Sequence, residues 1–168
     1  MTASELKKLL GLQPHPQEGG WYVRTYEADE RIAASEFADG RYAGPRRTGT
    51  AIYYLLEPET FSEMHRLKSD EVFHFYAGDA VEMLQLHLDG AGERVLLGND
   101  FSGGSRPQVV VERGVWQGSR LVPGGSWALL GCSVSPGFEF EDYEEGRRAE
   151  LCAGWPEWVE MIHSLTRQ

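Results

Sequence analysis

Apolar and polar positions alternate in short runs along most of this chain. Residues 21–26, 48–56, 61–67, 71–76, 81–88, 93–97, 107–111 and 126–134 each combine β-branched or aromatic residues with the two-residue period of a strand. Turn chemistry separates them: Glu57-Pro58-Glu59, Lys68-Ser69-Asp70, Ala77-Gly78-Asp79, Asp89-Gly90-Ala91-Gly92, Gly98-Asn99-Asp100 and, after residues 113–122, Pro123-Gly124-Gly125. Strands recurring about every ten residues, without strand–helix alternation or internal repeat, predict an all-β antiparallel sandwich or barrel.

The period lengthens only at the two ends. Thr2-Ala3-Ser4-Glu5 has the form of a capping box, and Leu6, Leu9 and Leu10 follow at helical spacing until Gly11, so a short helix leads the chain. Trp155-Pro156-Glu157-Trp158 opens a closing helix over about residues 155–166, with Trp158, Ile162 and Leu165 as its apolar stripe. Residues 13–20 are expected to be irregular, because Pro14 and Pro16 remove amide donors and Gly19-Gly20 invites positive φ; His15 between the prolines reads as an exposed loop residue. The polar, broken stretch 27–48 predicts a long loop or loose hairpin, of the kind that serves as a lid or dimer arm. Residues 135–145 alternate aromatic with acidic side chains, as an edge strand with one wet face would, and place Glu139 or Glu141 where they could reach the mouth of a cavity.

A length of 168 residues suits one domain, taken as residues 1–168, with a substantial core. The 16 Lys+Arg against 26 Asp+Glu give a formal charge of −10, which repels phosphate backbones and argues against nucleic acid as a partner. No apolar run is long enough to span a bilayer, and residues 1–5 lack the basic start of a signal peptide, so no membrane partner and a cytoplasmic location are expected. Cys132 and Cys152 stand alone and read as buried free thiols.

Candidate chemistry concentrates in residues 65–78, where His65, Glu71 and His74 fall within ten residues of strand-like sequence. Strict alternation puts Phe73 and Phe75 on the face of Glu71 and His74 on the other. A histidine, a glutamate six residues later and a glycine seven beyond that, here His65, Glu71 and Gly78, resemble the first motif of the cupin superfamily; Gly114-Val115-Trp116-Gln117 resembles the second, with glutamine at the ligand position. With Gly19-Gly20-Trp21-Tyr22, Arg24-Thr25, the run 50–56, His65 to Glu71, Phe73 to Gly78 and the run 131–142, the chain resembles over residues 11 to 145 the small single-domain cupins labelled, by prediction, sugar epimerases.

The resemblance implies a cupin double-stranded β-helix, a jelly-roll barrel with short N- and C-terminal helices, binding a small polar, carbohydrate-derived molecule. It implies a homodimer built by strand exchange or sheet extension near the N-terminal arm. Epimerisation beside a carbonyl needs a base on one face and a proton donor on the other. His65 is the leading base; His74 with Asp70, and Tyr53, Tyr76 or Tyr143, are candidates for the other roles. Glu71, Gln117, Trp116, Arg24 and Tyr143 are the substrate-binding candidates, the glutamine bonding hydroxyls and the indole stacking on a ring. Metal-binding cupins offer two further histidines where this chain has Leu67 and Gln117. His65 and Glu71 alone would hold a divalent ion weakly, so no cofactor is firmly implied. A metal-dependent enzyme and a non-catalytic binding protein stay open as alternatives.

Overall fold

The computed structural model describes residues 1–167. Helix α1 (Ala3–Leu10) starts where expected: the Thr2 hydroxyl accepts the Glu5 amide, the Glu5 carboxylate accepts the Thr2 amide, and Gly11 ends the helix at φ 67°. The strands are β1 (Gln13–Pro14), β2 (Trp21–Glu27), β3 (Arg31–Ile32), β4 (Arg46–Arg47), β5 (Thr50–Leu56), β6 (Phe61–Leu67), β7 (Asp70–Gly78), β8 (Val81–Leu86), β9 (Gly92–Leu97), β10 (Gln108–Val111), β11 (Trp116–Leu121), β12 (Ala128–Ser135) and β13 (Tyr143–Glu145). Helices α2 (Arg148–Gly154) and α3 (Val159–Ser164) close the described chain.

Two antiparallel sheets carry the fold, one in the order β1-β2-β5-β12-β7-β10 and the other in the order β13-β6-β11-β8-β9. Their inner faces meet in an apolar cluster that draws Tyr54, Phe73, Phe75 and Leu130 from the first sheet and Val81, Met83, Leu97 and Leu121 from the second. This is the jelly-roll arrangement of the expected class. The interior changes character along the first sheet. Tyr54, Leu130 and Phe75 lie in one cross-strand row, Ile52, Cys132 and Phe73 in the next, and Thr50, Val134 and Glu71 in the third. One end of the barrel is therefore filled with hydrocarbon and the other is polar.

The helices cover the outer faces. Leu6 of α1 packs with Leu12 and Leu55 against the first sheet, while Leu151, Ile162 and Leu165 pack on Met64, Leu84, Leu86 and Trp116 of the second. Burying each such side chain contributes roughly 1.5–3 kcal/mol. The motif glycine Gly78 sits at φ 99°, and a Cβ there would collide with the Trp127 carbonyl oxygen. Among the described residues, no helix is long and apolar enough to cross a membrane.

Two expectations need correction, and two further features were not expected. Residues 13–20 are not wholly irregular, since Gln13 and Pro14 pair with Tyr22 and Trp21. The acidic tail is an edge strand only over β13; Phe140–Asp142 is a 3-10 turn, and Glu141 is drawn to Arg46. Helix α2 was not expected, and its start at Arg147 has no side-chain cap to announce it. The stretch 27–48 is a loose hairpin of β3 and β4, yet Arg46 is buried and fixed by Asp142, with Nε–Oδ2 2.7 Å and Nη2–Oδ1 2.8 Å.

Candidate functional site

His65 owes its position to a β-bulge. On β6 and β11, Gln117 pairs with His65 and Ser119 with Ser62, so three steps on one strand face two on the other. Gly118 makes this possible, because a Cβ there would meet the Met64 sulfur at 2.8 Å. The bulge turns the Glu63 carbonyl to the imidazole, 2.7 Å from His65 Nδ1. A carbonyl only accepts, so Nδ1 carries the hydrogen and Nε2 is left as the working nitrogen of a ring that lines the cavity. Tyr143 stacks on that ring at 4.8 Å and 18°.

Glu71 comes from the opposite sheet and reaches across the barrel. Its Oε2 accepts Gln117 Nε2 at 2.6 Å. Burial, followed by the charge of Glu18, raises the Glu71 carboxyl to about 8, against the opposing pull of hydrogen bonds from Gln117 and Cys132. At neutral pH this group holds its proton. The Cys132 thiol is itself pushed up, first by burial and then by Glu71.

The loop before β2 supplies what residues 65–78 do not. His15 is not the exposed loop residue expected: its side chain is 4% accessible and lines the cavity. Its Nδ1 accepts the amides of Glu18 at 2.9 Å and Gln17 at 3.4 Å, and its ring packs edge-on against Tyr22 at 4.6 Å. Burial, with a smaller contribution from His65, lowers its pKa, while Glu18 acts in the other direction. Glu18 accepts the Ser62 hydroxyl, and the Tyr54 hydroxyl donates to the Gly19 carbonyl at 2.8 Å. Gly20 permits this approach: a Cβ would stand 2.8 Å from the Tyr54 oxygen. Arg167 clamps the loop from outside, donating to the Gln17 carbonyl at 3.1 Å and pairing with buried Glu63 at 2.6 Å.

Together these residues line a cavity of about 450 Å³ that opens to solvent at its mouth. Arg24, Tyr143, His65 and Glu71 line it, with Thr50, Ile52, Leu67, Val134 and Phe138 as the remaining wall. Two buried polar atoms beside it, Gln117 Oε1 and Tyr143 Oη, have no partner among the described residues, which leaves them for a ligand or water.

Five candidates fall outside: His74, Tyr76, Asp70, Tyr53 and Trp116. His74 lies on the outer face of β7, where Nε2 meets Ser133 Oγ at 3.1 Å and the ring stacks on Tyr76, so alternation along the strand removes it from the cavity. Asp70 is turned away too, accepting the Arg113 amide. Tyr53 also points outward, into the cluster under α1 and edge-on to Tyr76. Trp116 is core beneath α2 and α3, with Arg66 over its ring, and cannot stack on a cavity ligand. Conversely, His15, Glu18 and Cys132 had no place among the candidates. The two prolines around His15 signal a rigid loop, but its burial depends on Tyr54, Ser62 and Arg167, all distant in sequence.

The donor set falls short of the tight divalent site of metal-binding cupins. His65 Nε2 and Glu71 are available, but Leu67 offers no donor and Gln117 is committed through Nε2 to Glu71. Among the described residues, no three His, Cys, Asp or Glu side chains gather as a metal site.

Residues 4–145 match the family model described as Cupin superfamily (DUF985). A crystal structure of a Shewanella oneidensis protein matches with TM-score 0.87 and 32% identity, covering 99% of this chain and 98% of that one. A hypothetical protein from Leishmania major matches with TM-score 0.89 and 30% identity over the whole of both chains. An uncharacterized protein of Saccharomyces cerevisiae is 26% identical over 134 residues, 76% of this chain and 67% of its own length. Oxalate decarboxylase of Bacillus subtilis, at 12% identity and TM-score 0.52, covers 92% of this chain and 37% of its own, a likeness of fold alone.

Proposed function

The chain belongs to the cupin superfamily family described as DUF985, and from that premise we propose that its cavity binds a small polar, sugar-like carbon compound and isomerises or epimerises it by proton transfer. One observation carries this reading: His65 and a Glu71 that keeps its proton come from opposing sheets into the same buried cavity. A base and an acid facing one another are what inversion or migration of a carbon-bound hydrogen requires. His65 Nε2 takes the proton, Glu71 returns one from the other side, and Gln117 holds Glu71 in place. Tyr143 lies along the His65 ring, while Arg24 stands among the wall residues. Water returns both groups to their starting states.

The experiment is proton NMR in D2O with a panel of small hydroxy and oxo compounds. Washout of one carbon-bound hydrogen is expected with the wild type and not with His65→Asn. Compounds that bind, by saturation transfer, with none losing a hydrogen would overturn the enzymatic reading in favour of a binding protein.

We also propose that the chain works as a homodimer through the outer face of the first sheet. Val72, His74, Tyr76 and Val110 lie there, and Tyr76 and Val110 are about half exposed. The face is free of formal charge at these positions on a chain carrying −10, so two copies meet there without opposing like charges.

A further inference from the structure

We infer that His15 is the electrophile of the cavity, an imidazole that donates its Nε2–H to a substrate carbonyl oxygen, and that the substrate is therefore a small compound with a hydrogen-bearing carbon next to a carbonyl. The inference rests on the acid–base reading above and narrows it to enolisable compounds.

The argument is the opposite tautomers of two histidines. The backbone fixes both. Two amides point at His15 Nδ1, so that nitrogen is an acceptor and the hydrogen sits on Nε2. A carbonyl faces His65 Nδ1, so the hydrogen sits there and Nε2 keeps its lone pair. One ring presents a donor to the cavity and the other an acceptor. His15 Nε2 has no hydrogen-bond partner among the described residues; Glu18 Oε2 stands 4.0 Å away, beyond hydrogen-bond reach. Burial further disfavours a second proton on His15. A neutral imidazole held by backbone amides is a recognised means of polarising a carbonyl without ionising the site.

The chemistry balances without an oxidant or reductant. His65 Nε2 takes the hydrogen from the carbon as a proton, and the C–H pair becomes the new C=C bond. The carbonyl π pair moves onto oxygen, where His15 Nε2–H meets it. Collapse of the enolate returns the pair to carbon, which takes a proton from Glu71. A carbinol carbon with no adjoining carbonyl offers no oxygen to receive the electrons, so simple polyols fall outside the substrate class.

Two measurements on the intact protein test this. Long-range proton–nitrogen correlation spectra of the labelled wild type read which imidazole nitrogens are protonated. Hydrogen on Nε2 alone is expected for His15; hydrogen on its Nδ1, with or without Nε2, overturns the inference even if the acid–base reading survives. The second measurement is hydrogen washout in D2O from dihydroxyacetone, D-glyceraldehyde and pyruvate, with His15→Gln compared to wild type. Loss of about 100-fold in rate, with probe binding little changed, is expected. Undiminished washout in a His15→Gln protein with a native-like spectrum overturns the role of His15 and leaves the acid–base reading standing. No washout by the wild type from any probe overturns both. Should the variant not fold, the wild-type spectra decide.

Discussion

Gln117 Nε2 lies 2.6 Å from Glu71 Oε2, and this contact joins the two sheets at the polar end of the barrel. It places an amide where the resemblance to metal-binding cupins leads one to expect an imidazole. The difference in chemistry is large, because an amide can hold a carboxylic acid as well as a carboxylate, whereas a metal would demand the carboxylate.

Stability should therefore fall with pH over a defined window. Glu71 moves from an ordinary 4.5 in the unfolded chain to about 8 in the folded one, so the folded state binds the extra proton between those values. Its contribution is full below 4.5 and lost as pH rises through 8, with a slope of about 1.4 kcal/mol per pH unit. His15, whose pKa burial lowers from 6.5, works in the opposite sense near and below that value. Urea unfolding of wild type and Glu71→Gln from pH 5 to 9 separates the two: the variant should gain relative to wild type as pH rises. A constant difference would refute the assignment.

The buried Arg46–Asp142 pair should be costly to break on one side only. Arg46→Ala leaves the Asp142 carboxylate, 2% exposed, with Lys68 at 3.8 Å as its remaining counter-charge. A loss of about 3 kcal/mol in unfolding free energy is expected, and Arg46→Met with Asp142→Leu should recover most of it. Equal losses in the single and double variants would show that the pair is not what holds the hairpin.

Gly118→Ala presses on the bulge rather than on the cavity. The new Cβ meets Met64 Sδ and, at 3.1 Å, the Ser62 carbonyl. A destabilisation of about 1–3 kcal/mol by thermal or urea unfolding is expected, together with a shift of the His65 ring resonances as Glu63 moves. Unchanged imidazole signals would mean that the bulge does not set the ring.

Tyr76→Lys should convert a homodimer to monomer by placing two like charges on the proposed face. Sedimentation velocity checks it. A wild type that sediments as a monomer at all concentrations would remove the dimer proposal.

What could be read in advance follows from how local each cause is. Strands β5 to β10 and β12 announce themselves because alternation and turn residues act over a few positions, and α1 because Thr2 and Glu5 cap it locally. The same alternation already separated His74 from Glu71 before any fold was known. The bulge at Glu63 was not legible, since it depends on Gly118 lying opposite, more than fifty residues away. Nor was His15: its burial is assembled by Tyr54, Ser62 and Arg167. Trp116 misled for a related reason, as only the helices α2 and α3 decide that its side of β11 is core.

The clamp at Arg167 gives one residue outside the barrel a reach out of proportion to its position. Losing its side chain would release the Gln17 carbonyl and strand the Glu63 carboxylate at once. Both sheets and every cavity side chain would stay in place, yet the loop on which His15 is held would loosen.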